Sequence, residues 1–314
     1  MVERVPRRAR GRVLRTALAL APMLLGAGAV PAVASTHASK AVEVVAGENE
    51  YGDVVAQIGG KYVRVLSVES SPSTDPHTYE ATPATAKAVA EARLLVENGL
   101  GYDAFLAKLA AASPSRERKV IDVQHLLGLP DSTPNPHLWY SPRTMPAVAR
   151  AVASDLAAVD PAHARVFRQN EARFLASLVP WTDAIAAFKR AHREVRVATT
   201  EPVADYLLAA MGIVNVTPFR FQADVMNGTD PTPQDVTLVE KALSGRTVAA
   251  FLYNVQVVDS LTAAMRQTAV AAHVPVVGVY ETMPTPGFHY QTWMLAEVRA
   301  IADAVVHHAS TGRL

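Results

Sequence analysis

The chain has 314 residues, half of them apolar and 19% charged, which is enough to bury a sizeable core and too apolar for a disordered polyampholyte. Its net charge of +1 hides an asymmetry: residues 1–34 hold six arginines and one glutamate, leaving 24 basic and 28 acidic side chains in the rest. A mildly acidic body with no basic stripe argues against nucleic acid as a partner, and the lack of cysteine excludes disulfides, thiolate metal sites and a lipidated N-terminal cysteine.

Residues 1–34 read as a secretory signal. A basic stretch from Arg4 to Arg15 precedes an apolar run over 17–30, and Ala32-Val33-Ala34 supplies a small-x-small pattern before a cut at Ser35. The competing reading is a membrane span, but Pro22 and Pro31 interrupt the run, and it falls short of the roughly 20 residues a bilayer requires. Arg7-Arg8 is a weak hint of twin-arginine export. The expected product is an exported, extracytoplasmic protein with a polar leader at 35–40.

The remainder alternates between short β-rich runs and helical patterns. Strands are expected over 41–46, 62–68, 94–97 and 119–123, and helices over 51–58, 83–92, 102–112 and 142–158. Residues 161–193 then read as one long helical stretch that Pro180 should kink or split, because proline removes a backbone donor and crowds the preceding turn. Beyond it the alternation resumes, with strands at 196–199, 214–218, 248–253 and 275–280 and helices at 203–211, 233–243, 257–272 and 290–308. The fold class expected is α/β: an N-terminal lobe over 41–160 and a C-terminal lobe over 194–314, each with a mainly parallel sheet, joined by a linker helix over 161–193.

Open parallel sheets bind ligands beyond the carboxyl ends of their strands. Four ligand-type residues lie just past expected strands: His77, His137, Glu201 and Glu281. Taken singly, each has a bland reading, as a surface histidine, a helix-start acid or a loop carboxylate. As a set, two imidazoles from the front half and two carboxylates from the back half could converge between the lobes. Such a cluster offsets the charge of a divalent cation, and nitrogen with oxygen ligands suits Mn²⁺, Zn²⁺ or Fe²⁺. Of the other histidines, His289 is the one close to the candidate site in sequence but has little claim as a ligand, and His307-His308 reads as a weak surface metal site or a helix-end cation.

The segments Asp75-Pro76-His77-Thr78-Tyr79-Glu80, Asn135-Pro136-His137-Leu138-Trp139 and Tyr280-Glu281 resemble the motifs of the zinc/manganese-type solute-binding proteins of metal-uptake ABC transporters. The resemblance spans roughly residues 41–306. It implies two α/β lobes joined by a backbone helix, with one divalent metal held by His77, His137, Glu201 and Glu281, and a membrane permease as partner to a monomeric binding protein. Two positions depart from the usual pattern: Glu201 stands where zinc-type members commonly have histidine, and Glu281 where aspartate is more usual. The histidine-rich loop of many zinc members is missing from 126–136.

Capture and delivery are expected rather than turnover. A secreted metallohydrolase or a metal-stabilised adhesin is the rival reading. Neither a Gly-x-Ser-x-Gly elbow nor a His-Glu-x-x-His helix occurs in the chain.

Overall fold

A computed structural model describes residues 1–6, 11 and 41–314, so the expected signal at 1–34 and the leader at 35–40 fall almost wholly outside the described residues. Residues 41–314 lie in one compact unit. Among the described residues, no helix is long and apolar enough to cross a membrane.

The first lobe begins with β1 (Val42–Glu48), whose Val42, Val44, Val45 and Ala46 are all buried, the near-continuous apolar pattern of a central parallel strand. Helix α1 (Asn49–Gly59) follows and stops at Gly60, whose φ of +55° suits a residue without Cβ. Strand β2 (Val63–Glu69) alternates between half-buried and exposed residues, as an edge strand does. Then come α2 (Pro83–Glu91), β3 (Leu94–Glu97), α3 (Ala104–Ala112), β4 (Lys119–Asp122), a single turn α4 (Val123–Leu126) and α5 (Thr144–Val159). Thr82 starts α2 by accepting from the Thr85 N–H at 3.1 Å, with Pro83 at the position where its missing donor costs nothing.

The connecting stretch is two helices, α6 (Ala164–Ser177) and α7 (Val179–Ala191), split at Leu178. Pro180 lies in the first turn of α7, where its missing N–H would have no partner anyway, so it starts a helix instead of bending one. Helix α6 packs on α1 and α5 of the first lobe, while α7 packs on elements of the second.

The second lobe comprises β5 (Arg196–Thr199), α8 (Asp205–Met211), β6 (Val214–Asn215), α9 (Phe219–Met226), α10 (Pro233–Ser244), β7 (Ala250–Asn254), α11 (Ser260–Ala271), β8 (Val276–Val279) and α12 (Tyr290–His307). Two details differ from the sequence expectation. The strand expected over 214–218 keeps only two residues, because the Thr217 hydroxyl takes the Thr199 N–H at 2.8 Å in place of a ladder carbonyl. Helix α9 was unforeseen; it buries little beyond Phe221, Gln222 and Val225, too short a stripe to read as a period.

Both sheets are fully parallel and share one strand order: β2-β1-β3-β4 in the first lobe and β6-β5-β7-β8 in the second. In each, the chain runs outward on one side of the first strand and then crosses to the other, which opens a crevice at the strand ends.

A single apolar cluster runs through both lobes beneath those ends. Trp181 meets Tyr290 edge-on at 5.7 Å between ring centres, and Tyr140 meets Trp293 at 5.6 Å. Polar bonds reinforce the join: Tyr290 donates to the Trp139 carbonyl at 2.6 Å and Tyr140 to the Tyr280 carbonyl at 2.8 Å. Asn49 exchanges two bonds with the Met283 backbone, at 2.9 and 3.0 Å.

Glu297 of α12 lies fully buried within this join, its Oε1 accepting from Trp293 Nε1 at 3.1 Å and sharing, at 3.3 Å, the Tyr140 hydroxyl proton that goes chiefly to the Tyr280 carbonyl. Burial pushes its carboxyl up to about 8, against those two hydrogen bonds. The unfolded carboxyl titrates near 4.3, so its contribution to stability is complete below that value and is lost as pH rises through about 8. Glu297→Gln should therefore remove one proton's worth of slope, about 1.4 kcal/mol per pH unit, between pH 5 and 8. Urea melts of both proteins across that range test this, and equal slopes would refute it.

Candidate metal centre

Each of the four residues singled out above is placed by a strand end. His77 follows β2 in a turn of 3-10 helix, Pro76–Thr78, where Asp75 accepts the His77 backbone N–H at 2.9 Å and Pro76 stiffens the approach. His137 follows β4 and α4. Its ring is fully buried, and Asn135 Oδ1 accepts from both its backbone N–H at 3.0 Å and its Nδ1 at 2.8 Å. Asn135 Nδ2 donates to the Pro202 carbonyl at 2.8 Å, which fixes the amide's orientation. Nδ1 therefore carries the proton and Nε2 presents a lone pair, the tautomer a metal requires.

Glu281 follows β8 and is the hub. Its Oε2 lies 3.0 Å from His77 Nε2, 3.2 Å from His137 Nε2 and 2.9 Å from the Tyr102 hydroxyl, which donates to it. Donor atoms of His77, His137 and Glu281 all lie within 4.8 Å of one another; among the described residues no other three histidine, aspartate or glutamate side chains converge so closely. Glu201 does not join them. Its Oε1 accepts from Asn254 Nδ2 at 3.1 Å, and the same Nδ2 donates to Glu281 Oε1 at 2.6 Å, so one buried amide bridges the two acids. Glu201 Oε2 is buried with no partner in the protein.

The electrostatics follow from burial and from these contacts. Burial raises the Glu281 carboxyl, but the rings beside it pull it well below the usual range; His77 is the ring that donates to it, because a neutral His137 with its proton on Nδ1 has none to give from Nε2. Burial and the charge of Glu281 push Glu201 well above the usual range, so it carries a proton. His137 is lowered by burial and stays neutral. For His77, burial lowers the ring, but the bond to Glu281 and its charge prevail and raise it. One proton on His77 and one on Glu201 thus neutralise two carboxylates that a divalent cation could neutralise instead.

Sequence reasoning missed Tyr102, Asn254 and Gln256. The rule that found the four would have found the last two, since Asn254-Val255-Gln256 lies just past the strand expected over 248–253. Asn254 ends β7, and its Oδ1 accepts the Gln256 N–H at 3.0 Å, which turns Nδ2 toward the acids. Tyr102 had no local signal; its partner stands 179 positions away. His289 bonds Asp53 at 2.8 Å and lies outside the donor set.

The profile of the zinc-uptake complex component A family, periplasmic (ZnuA), matches residues 44–304. The metal ABC transporter substrate-binding lipoprotein FimA of Streptococcus parasanguinis is 26% identical over 245 residues, 73% of this chain and 78% of its own length. The manganese ABC transporter substrate-binding lipoprotein PsaA of Streptococcus pneumoniae is 25% identical over 239 residues, 69% of this chain and 74% of its own. Among solved structures, FpvC of Pseudomonas aeruginosa in complex with Mn²⁺ superposes with a TM-score of 0.69 at 20% identity, covering 86% of this chain and all of FpvC. A crystal structure of ZnuA gives a TM-score of 0.67 at 22% identity, covering 85% of this chain and all of that one. Family match and fold agree with the motifs at 75–80 and 135–139: the chain belongs to the ZnuA family, the zinc/manganese-type solute-binding proteins.

Proposed function

We propose that this protein captures one divalent transition metal, Mn²⁺ or Zn²⁺ with Fe²⁺ also accommodated, outside the cytoplasm and hands it to an ABC permease in the membrane. The observation that carries this reading is the convergence of His77 Nε2 and His137 Nε2 on one oxygen of an ionised Glu281. In this reading His77, His137 and Glu281 are ligands, and Glu201 becomes the fourth when its proton leaves and its free oxygen turns to the ion. Two imidazoles with two carboxylates suit all three metals, and the second carboxylate favours the harder Mn²⁺, while the Irving–Williams order favours zinc. The binding protein acts as an exported monomer, with residues 41–160 and 194–314 as lobes and 161–193 as the link. Names of relatives that are ABC-transporter substrate-binding components support the permease partner. Capture without turnover fits the names of the relatives, which are substrate-binding components of transporters.

The test is a competition titration of metal-free protein against a chromophoric chelator. The expected result is one ion per chain, removable by excess chelator. Absence of binding, or an ion that leaves only on unfolding, contradicts the proposal.

Metal uptake should also release protons. His77 and Glu201 are both raised in the metal-free site, so each holds a proton that the cation displaces. Affinity should fall as pH falls through the raised His77 value, which lies above the ordinary imidazole value of about 6.5. At pH 6 or below, under the ordinary imidazole value that His77 exceeds, two protons should leave per metal, measured by calorimetry in buffers of different ionisation enthalpy. Release of only one would leave Glu201 out of the ligand set.

A further inference from the structure

The contacts between the lobes are unevenly spread. His137 sits on the join itself: its neighbours Asn135 and Tyr140 bond Pro202 and Tyr280 across the gap, at 2.8 Å each. His77 sits on a loop over residues 70–80 that reaches the second lobe through far less. Among the described residues, its hydrogen bonds to that lobe are the His77–Glu281 contact and those of one side chain, Gln256.

Gln256 is buried, and both ends of its amide are used. Its Oε1 accepts the backbone N–H of Glu281 at 2.7 Å and of Thr282 at 2.9 Å. Two donors on one atom fix which end is oxygen. Nε2 must then point the other way, where it donates to the Thr74 carbonyl at 2.8 Å and the Thr282 hydroxyl at 3.1 Å, with a longer contact to the Ser71 carbonyl at 3.4 Å. A single planar amide therefore ties the backbone of one ligand, Glu281, to a carbonyl three residues before another, His77. Its own backbone N–H is held by Asn254, the residue that orients both acids.

We infer that Gln256 is a positioning residue: it latches the His77 loop onto the Glu281 backbone and thereby sets how fast the cargo metal leaves. This rests on the functional reading above for its consequence, though the latch itself is a property of the metal-free chain. The shared core opposes a wide hinge between the lobes, because parting them would pull Trp293 from Tyr140 and Tyr290 from the Trp139 carbonyl. Release of the 70–80 loop needs only the Gln256 bonds and the His77 contact to break. It removes one ligand while His137 and Glu281 stay in place.

Gln256→Met keeps the length of the side chain and loses both sets of bonds. Amide hydrogen exchange on the metal-free variant should rise at residues 70–80 and stay unchanged at 135–140. Metal release, followed by stopped flow into excess chelator, should quicken about tenfold, the scale expected from losing the two neutral contacts that reach the loop, at Thr74 and Ser71. Gln256→Asn, one methylene too short to reach both partners, serves as the second variant and should behave alike. A release rate raised less than threefold overturns the inference, as does faster exchange spread over the whole second lobe, which would make Gln256 a general packing residue. Unchanged metal affinity in His77→Ala would sink the site reading instead, while the exchange result on metal-free protein would still decide the latch.

Discussion

Glu281→Gln should keep its fold and lose at least about 100-fold in metal affinity, some 2.7 kcal/mol. The loss follows from amide orientation as well as charge. Asn254 Nδ2 donates to Glu281 Oε1 at 2.6 Å, so a glutamine here must offer its oxygen to Asn254. Its NH₂ would then face His77, His137 and Tyr102, placing donors where the carboxylate now meets two imidazole nitrogens. The neutral side chain also removes the charge that holds a proton on His77, so the site loses both its anion and its affinity for cations. Competition with a chromophoric chelator measures the change, and a loss under tenfold would remove Glu281 from the centre. His137→Ala should cost at least about tenfold, near 1.4 kcal/mol, by deleting the one imidazole already held in the metal-binding tautomer.

The second large effect concerns stability. Trp293→Ala should destabilise the protein by about 3–5 kcal/mol, the range for truncating a buried aromatic. Trp293 is fully buried, meets Tyr140 and Tyr290 edge-on, and donates its indole N–H to Glu297. Truncation leaves a cavity between the lobes and removes the shorter of the hydrogen bonds to the buried Glu297 carboxyl, that from the indole. Because one apolar cluster serves both lobes, unfolding should remain a single transition. Urea melts read by circular dichroism and by the fluorescence of Trp139 and Trp181 should coincide. A loss under 1 kcal/mol, or two resolved transitions, would show that the lobes are joined less tightly than this core implies.

These expectations bear on how such a protein would hold and yield an ion. The metal-free centre is already assembled, with His137 in its metal-binding tautomer and Glu281 ionised, so little ordering remains to oppose binding. Two protons stand in for the cation, which makes the exchange close to charge-neutral in a buried site.

Read without coordinates, the chain already disclosed its parallel α/β plan, since runs such as 94–97 and 196–199 are bounded by helical periods and by glycine or proline. It disclosed the strand-end positions of His77, His137, Glu201 and Glu281 for the same reason: a strand and the residue after it are local in sequence. Tertiary structure alone decided which of the four meet. Glu201 is set apart by the Asn254 amide, and Tyr102 enters from a distant loop to donate to Glu281. It alone also revealed that the two lobes share a core and that one glutamine spans the gap to the His77 loop. Such facts depend on hydrogen bonds between residues 27 to 182 positions apart, whose directions are set by packing and leave no period in the chain.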